Sequence, residues 1–147
     1  MIKEFDGIYA FLSNFWTSPI EFKGIVYPTN EHFFQAMKTL DPKARKAIAA
    51  APTPGKAKQM GRNVQLRADW EQIKEEVMLQ GLRLKFKDPH LRISLLMTGD
   101  QELVEGNWWC DQTWGSCTCE KHKHIPGENK LGKLLMQVRN ELKEEIK

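Results

Sequence analysis

Nothing in this 147-residue chain approaches the roughly 20 consecutive apolar residues that cross a bilayer. The start, Met1-Ile-Lys-Glu-Phe-Asp6, lacks the basic-then-apolar pattern of a secretory signal. From these two absences we expect a cytoplasmic protein with no membrane partner. Internal repeats and low-complexity linkers are missing too, which excludes solenoids. With the modest length, that favours a single domain over residues 1–147. There is no P-loop, no Rossmann fingerprint and no His-Glu-x-x-His. Glu31-His32 has no second histidine four residues on. Cysteine is scarce: three residues, an odd number, all between Cys110 and Cys119. Reduced thiols or a metal site fit that usage better than a disulfide scaffold. A strong charge of either sign is also lacking. Lys plus Arg exceed Asp plus Glu by 22 to 19, a net charge of +3. That permits a phosphorylated or polyanionic ligand without requiring one.

What is present is ordinary globular material, 41% hydrophobic and 28% charged. Ile20–Phe22 and Ile25–Tyr27 flank Lys23-Gly24, which predicts a hairpin, with Pro28 ending its second strand. Helices then dominate. Thr29 or Asn30 caps a helix to about Leu40. Asp41-Pro42 opens a second through Ala44–Ala51, and Thr53-Pro54 a third ending near Gly61. Asp69 with Gln72 predicts a capping box on a fourth, whose face carries Trp70, Ile73, Val77 and Leu84. Asp88-Pro89 starts a fifth, to about Met97. The last runs from about Glu128 to Glu145, with Leu131, Leu134, Leu135, Val138 and Leu142 as its buried stripe. Residues 99–127 read as a long loop with at most short structure, a kind of segment that is often functional. The expected fold is mainly α, a helix-rich α+β domain of orthogonal helices with a small β hairpin near the N-terminus.

Two regions hold candidate chemistry. In the first helix Phe33, Met37 and Leu40 share one face, with Phe34 at its edge, while Glu31, Gln35 and Lys38 share the other. The plain reading is an amphipathic helix with a solvated polar face. The sharper reading notes the apolar segment Tyr9–Trp16 before it, which must pack near something, and a carboxylate able to accept a proton from water. In the second region, Asn107-Trp-Trp-Cys-Asp-Gln-Thr-Trp-Gly115 holds three of the five tryptophans. They either plug the core or wall a pocket for a planar ring such as a nucleobase. Asp111 either caps a turn or serves a ligand, and Gly115 would let the backbone come close to one. Cys110, Cys117, Cys119, His122 and His124 raise a metal question. Structural zinc sites place two to four residues between paired cysteines, and Cys117 and Cys119 are separated by one, so we expect no metal and no cofactor.

Taken together, Ser13-Asn-Phe15 and Tyr27-Pro-Thr-Asn-Glu-His-Phe-Phe-Gln-Ala-Met-Lys38 closely resemble the YbiA-like or NADAR family. Met60-Gly-Arg62, Trp70 with Lys74 and Met78, Asp111 with Trp114-Gly115, and Asn129-Lys-Leu-Gly132 with Leu135-Met136 and Arg139 follow in the same order. Cys110 and the segment Cys117–His124 depart from the family pattern. The resemblance implies a mostly helical N-glycosidase that hydrolyses ribosylamino-pyrimidine phosphates of riboflavin biosynthesis and releases ribose 5-phosphate. Other members remove ADP-ribose from guanine in nucleic acid, which is the alternative activity. A third reading is a zinc-stapled module in which Lys121 and Lys123 touch nucleic acid. The resemblance implies functional roles for Glu31, Trp70 and Asp111. N-riboside cleavage passes through an oxocarbenium-like state, so Glu31 is expected to stabilise that charge and act on water. Asp111 would hold ribose hydroxyls or protonate the leaving group, and Trp114 with Trp70 would stack on the base. Asn14, Phe15, Gln35, Lys38, Arg62 and Gly115 complete the expected substrate-binding set. The expected partner is a phosphorylated, nucleoside-like small molecule, with ADP-ribosylated nucleic acid as the alternative.

Overall fold

The computed structural model describes residues 1–146, and their contacts form two compact units. One is Asn14–Lys85; the other joins Met1–Ser13 to the chain from Phe86 onward. Among the described residues there are seven helices, with 48% of the chain helical, and one small antiparallel hairpin. The mainly α expectation holds.

In the unit Asn14–Lys85, strands β1 (Thr17–Phe22) and β2 (Ile25–Thr29) pair antiparallel around Lys23-Gly24. Both turn residues have positive φ, 49° and 83°, as the tight turn that matches strand twist demands, and glycine takes the larger angle without a Cβ clash. Pro28 does not end β2. The register shifts between Thr17 and Ile20, opposite this end of β2, so a missing N–H is tolerated there.

Helix α1 (Asn30–Ala36) is capped by Thr29, whose hydroxyl accepts from the His32 N–H at 3.1 Å. It stops short of the expected Leu40. The N–H groups of Lys38 and Thr39 turn back to the carbonyls of Gln35 and Ala36, a tightened last turn, and Leu40 is left exposed. Helices α2 (Pro42–Ala49) and α3 (Pro54–Gly61) begin where the Asp-Pro and Thr-Pro pairs predict. Asp41 and Thr53 each accept a backbone N–H at the cap. Helix α4 (Trp70–Lys85) starts on time, but without the expected capping box: the Asp69 carboxylate is held by Arg67 at 2.7 Å, and Asp69 accepts helical N–H groups through its carbonyl.

Helix α1 touches both strands and α2, α3 and α4, so it is enclosed on every side. All seven of its residues are buried. Phe33 sits edge-on to Phe22 and Tyr27 at 5.4 and 5.6 Å between centroids, contacts worth about 0.5–1.5 kcal/mol each beyond their area. At the end of α4, Lys85 is 1% exposed. Burial lowers its ammonium from 10.5 to about 7. Between those values the unfolded chain binds a proton that the folded chain does not. Stability therefore rises with pH across that window, and the penalty is complete below it. Urea unfolding at pH 7 to 10 is expected to show this rise, with a Lys85 share of at most about 1.4 kcal/mol per pH unit. In Lys85→Met that share should vanish. An identical slope in the variant would remove the assignment.

The other unit contains a 3-10 helix (Gly7–Leu12) inside the aromatic N-terminal segment, α5 (Pro89–Met97) and α6 (Lys130–Glu145). Ile2 bridges to Leu103. The long loop between α5 and α6 holds only a two-residue parallel pair, β3 (Gly106–Asn107) and β4 (Ser116–Cys117), as its composition predicts. In the stripe of α6, Leu131, Leu135, Val138 and Leu142 are buried and Leu134 is half-buried. Arg139 is buried with them and donates to the Thr98 hydroxyl at 2.9 Å. No helix among the described residues is long and apolar enough to cross a membrane.

Candidate functional site

The solvated-face reading of α1 fails. Glu31 is 7% exposed and Gln35 3%. A buried carboxylate needs hydrogen bonds to stay ionised. Gln35, one turn on, donates from Nε2 to Glu31 Oε1 at 3.0 Å. The Glu31 N–H donates to the Asn14 carbonyl at 3.0 Å, which ties the head of α1 to the segment before β1. Asn30 Nδ2 donates to Asn14 Oδ1 at 2.8 Å, and Asn14 Nδ2 reaches the Met78 sulfur of α4 at 3.4 Å. Asn14 is thus a buried brace behind Glu31. His32 is a brace on the other side. Its Nε2 lies 3.1 Å from the Ala51 carbonyl, so the proton belongs there, and Nδ1 accepts from Thr29 at 2.8 Å.

Gln35 is itself held by α3. A Cβ on Gly61 would lie 2.0 Å from Gln35 Oε1 and 3.1 Å from its Cβ, so only glycine lets α3 come this close. Beyond Gln35 the polar face carries Lys38, half-buried. Burial pulls the Lys38 ammonium below the usual lysine range; Glu31 pulls it back up, and Lys58 and Arg62 add to the lowering. One carboxylate, Glu31, and two further cations, Lys58 and Arg62, therefore act on the Lys38 ammonium. Trp70 packs on Phe34 with centroids 5.0 Å apart and is 5% exposed, and Lys38 lies 6.0 Å over the same Phe34 ring. Phe15 is 46% exposed. The unit Asn14–Lys85 thus brings Glu31, Gln35, Lys38, Arg62 and Asn14 into one neighbourhood, with Trp70 as packing beside it. Lys58, Asn30, His32 and Gly61 were not singled out from sequence. Asn30 and His32 left a trace inside Tyr27–Lys38, and Gly61 inside Met60-Gly-Arg62; Lys58 left none.

In the other unit, the loop does not plug the core with Trp108 and Trp109, which are 75% and 49% exposed and stand edge to face at 5.5 Å. Trp114 is half-buried. Asp111 is a turn former: Oδ1 accepts from the Thr113 and Trp114 N–H groups at 3.0 and 2.9 Å. Asn107 clamps the same turn, accepting from the Asp111 N–H at 3.0 Å and donating to its carbonyl at 2.8 Å. Gly115 is buried, and the space a Cβ would need is filled by Glu105, 1.9 Å from its Oε2. Asn129, at φ 50°, donates to the Leu103 carbonyl at 2.9 Å and accepts from the Glu105 N–H at 3.0 Å, anchoring the loop to the head of α6.

Residues 2–143 match the family model described as the NADAR domain. The chain is 43% identical over 137 residues to "N-glycosidase YbiA" of Shigella flexneri serotype 5b (strain 8401), covering 91% of this chain and 82% of that protein. It is 37% identical over 142 residues to a riboflavin biosynthesis protein of Vibrio vulnificus (strain YJ016), covering 95% of this chain and 37% of that protein. The NMR structure of the E. coli protein YbiA aligns with a TM-score of 0.82 at 40% identity, covering 99% of this chain and 87% of that one.

Proposed function

The chain belongs to the NADAR domain family, and from that premise we propose that it is a hydrolase that cuts an N-ribosidic bond. The substrate we propose is a ribosylamino-pyrimidine phosphate of riboflavin biosynthesis, with ribose 5-phosphate released. The names of two relatives, an N-glycosidase and a riboflavin biosynthesis protein, support this choice. The observation that carries it is the Glu31 carboxylate, buried, gripped by Gln35 and electrostatically coupled to Lys38, which Lys58 and Arg62 also influence.

Such a group suits the reaction. The C1′–N bond breaks with its electron pair leaving on nitrogen, and C1′ becomes electron-poor. A fixed carboxylate stabilises that charge and takes a proton from the attacking water, whose oxygen forms the new bond to C1′. The nitrogen gains a proton as the amine departs. Lys38 and Arg62 would hold the phosphate of the substrate. Lys38 is suited to this, because an ammonium disfavoured by burial, and further by two neighbouring cations, gains from an anion. Trp70 would steady the wall behind the base through Phe34.

Incubating the protein with a ribosylamino-pyrimidine phosphate should release ribose 5-phosphate and the free aminopyrimidine in equal amounts. A parallel incubation with ADP-ribosylated guanine in DNA should yield little ADP-ribose. Release from the nucleic acid alone would replace our substrate by that one. Release from neither would end the proposal.

A further inference from the structure

The cluster set aside on spacing looks different in three dimensions. Cys110 Sγ, Cys117 Sγ, Cys119 Sγ and His122 all offer a ligand atom, and these atoms lie within 4.8 Å of one another. We propose that Cys110, Cys117, Cys119 and His122 form a structural zinc site that fixes the tryptophan loop. The one-residue spacer between Cys117 and Cys119 argued against this only while they were taken as a complete pair. Cys110, seven residues upstream of Cys117, supplies the missing corner.

Four observations carry the proposal. First, the edges come close to those of a zinc tetrahedron. Zinc bound tetrahedrally at about 2.3 Å to sulfur and 2.0–2.1 Å to nitrogen separates its ligands by about 3.5–3.8 Å. Cys110 Sγ and Cys119 Sγ are 3.6 Å apart, inside that range; Cys119 Sγ is 3.2 Å from His122 Nδ1, slightly short of it, and no pair of ligand atoms is more than 4.8 Å apart. Second, the innermost sulfur already has the donors a metal-bound thiolate needs. Cys117 is buried, and its Sγ accepts from the Cys110 and Cys119 N–H groups at 3.2 and 3.3 Å. Third, Cys110 has φ 69°, a left-handed conformation rare for a residue with a Cβ. That conformation turns its thiol back toward the other two, and a bond to a shared ion would explain why it is kept. Fourth, a disulfide cannot satisfy the set. It would join two of three thiols and leave the third and the imidazole without a role.

Three sulfurs and one nitrogen suit zinc among common divalent ions, and a closed set of four protein ligands is the mark of a structural site. Its place gives it a purpose. Cys110 directly follows Trp108-Trp109 and directly precedes Asp111. An ion joining it to Cys117, Cys119 and His122 would lock both the exposed tryptophans and the Asp111 turn, a loop otherwise held by one short strand pair and side-chain clamps. The cluster belongs to the unit that contains Phe86–Lys147 and Glu31 to Asn14–Lys85, and the metal readouts below do not depend on hydrolysis.

Protein expressed with added zinc and purified without chelator should carry about one equivalent of zinc by mass-spectrometric metal analysis. Cobalt(II) exchanged into it should give the intense visible bands of tetrahedral thiolate coordination. Cys119→Ser should lose the metal. His122→Cys, which keeps four soft ligands, should retain it, and so should His124→Ala, since His124 is outside the cluster. Wild-type protein with three titratable thiols and no metal after zinc addition would overturn the proposal. So would a disulfide found in protein purified under argon, or metal lost equally from His124→Ala and Cys119→Ser.

Discussion

Glu31→Gln is expected to lower kcat by about 10²–10⁴-fold, the range for removing a positioned acid–base group. The fold should survive. Glutamine keeps the shape of glutamate, and its carbonyl can still accept from Gln35 Nε2, which donates to Glu31 Oε1 at 3.0 Å in the native chain. On the proposed mechanism, what is lost is a negative charge beside the anomeric carbon and the ability to take a proton. The loss should fall on kcat more than on KM, because the charge matters most in the transition state. Single-turnover hydrolysis with the variant's thermal melt beside it is the measurement; near-native turnover in a well-folded variant would remove Glu31 from the chemistry. The same assay separates two roles for Asp111. Asp111→Asn keeps the Oδ1 acceptor that holds the Thr113 and Trp114 N–H groups. If it retains full turnover while Asp111→Ala does not, Asp111 is a turn former and nothing more.

The second large effect is expected at a residue with no side chain. Gly61→Ala places a Cβ 2.0 Å from Gln35 Oε1 and 2.9 Å from its Cδ. Gln35 is 3% exposed, so the clash falls inside the core. Either α3 backs away from α1 or Gln35 swings off Glu31. We expect a stability loss of about 1–3 kcal/mol, typical of overpacking a filled interior. We also expect a fall in kcat of about tenfold or more from the misplaced carboxylate, since small misplacements are costly in catalysis. Gly55→Ala in the same helix is the control. Its Cβ would meet only the Thr53 hydroxyl at 3.9 Å, so stability should hold or rise. The double variant Gly61→Ala/Gln35→Ala should regain stability without regaining turnover. Recovery of both would show that Gln35 only fills space.

These two predictions mark the limits of the sequence. Caps and breakers are local, so Asp41-Pro42, Thr53-Pro54, Asp88-Pro89 and Lys23-Gly24 announce their elements correctly. Periodicity is also local, and the stripe of α6 follows it. A helix wheel, though, assumes one face in and one face out. Helix α1 has no outer face, so a wheel puts Glu31 and Gln35 on a solvated side although both are buried. Asp69 misled for a similar reason: the capping-box pattern does not show that Arg67 will take the carboxylate. The cysteine cluster could not be read from spacing, because Cys110 reaches it by folding back across the loop. The family resemblance picked out Glu31 and Asp111, and physical reading by itself left both open. Three-dimensional contacts distinguish them: Glu31 is buried and held by Gln35, and the hydrogen bonds of Asp111 are those of a turn.

The enclosure of α1 also governs how the site can be lost. A helix on the surface frays from its ends, and its amides exchange with solvent long before the domain unfolds. Helix α1 has strands at its back and three helices around it. Its amides can open only when Asn14–Lys85 opens as a unit, so their exchange should report the global unfolding of that unit. The carboxylate proposed to do the chemistry then belongs to the most cooperative part of the molecule. Under denaturant its activity should disappear with the core, in one transition, rather than fade ahead of it as activities housed on mobile loops do.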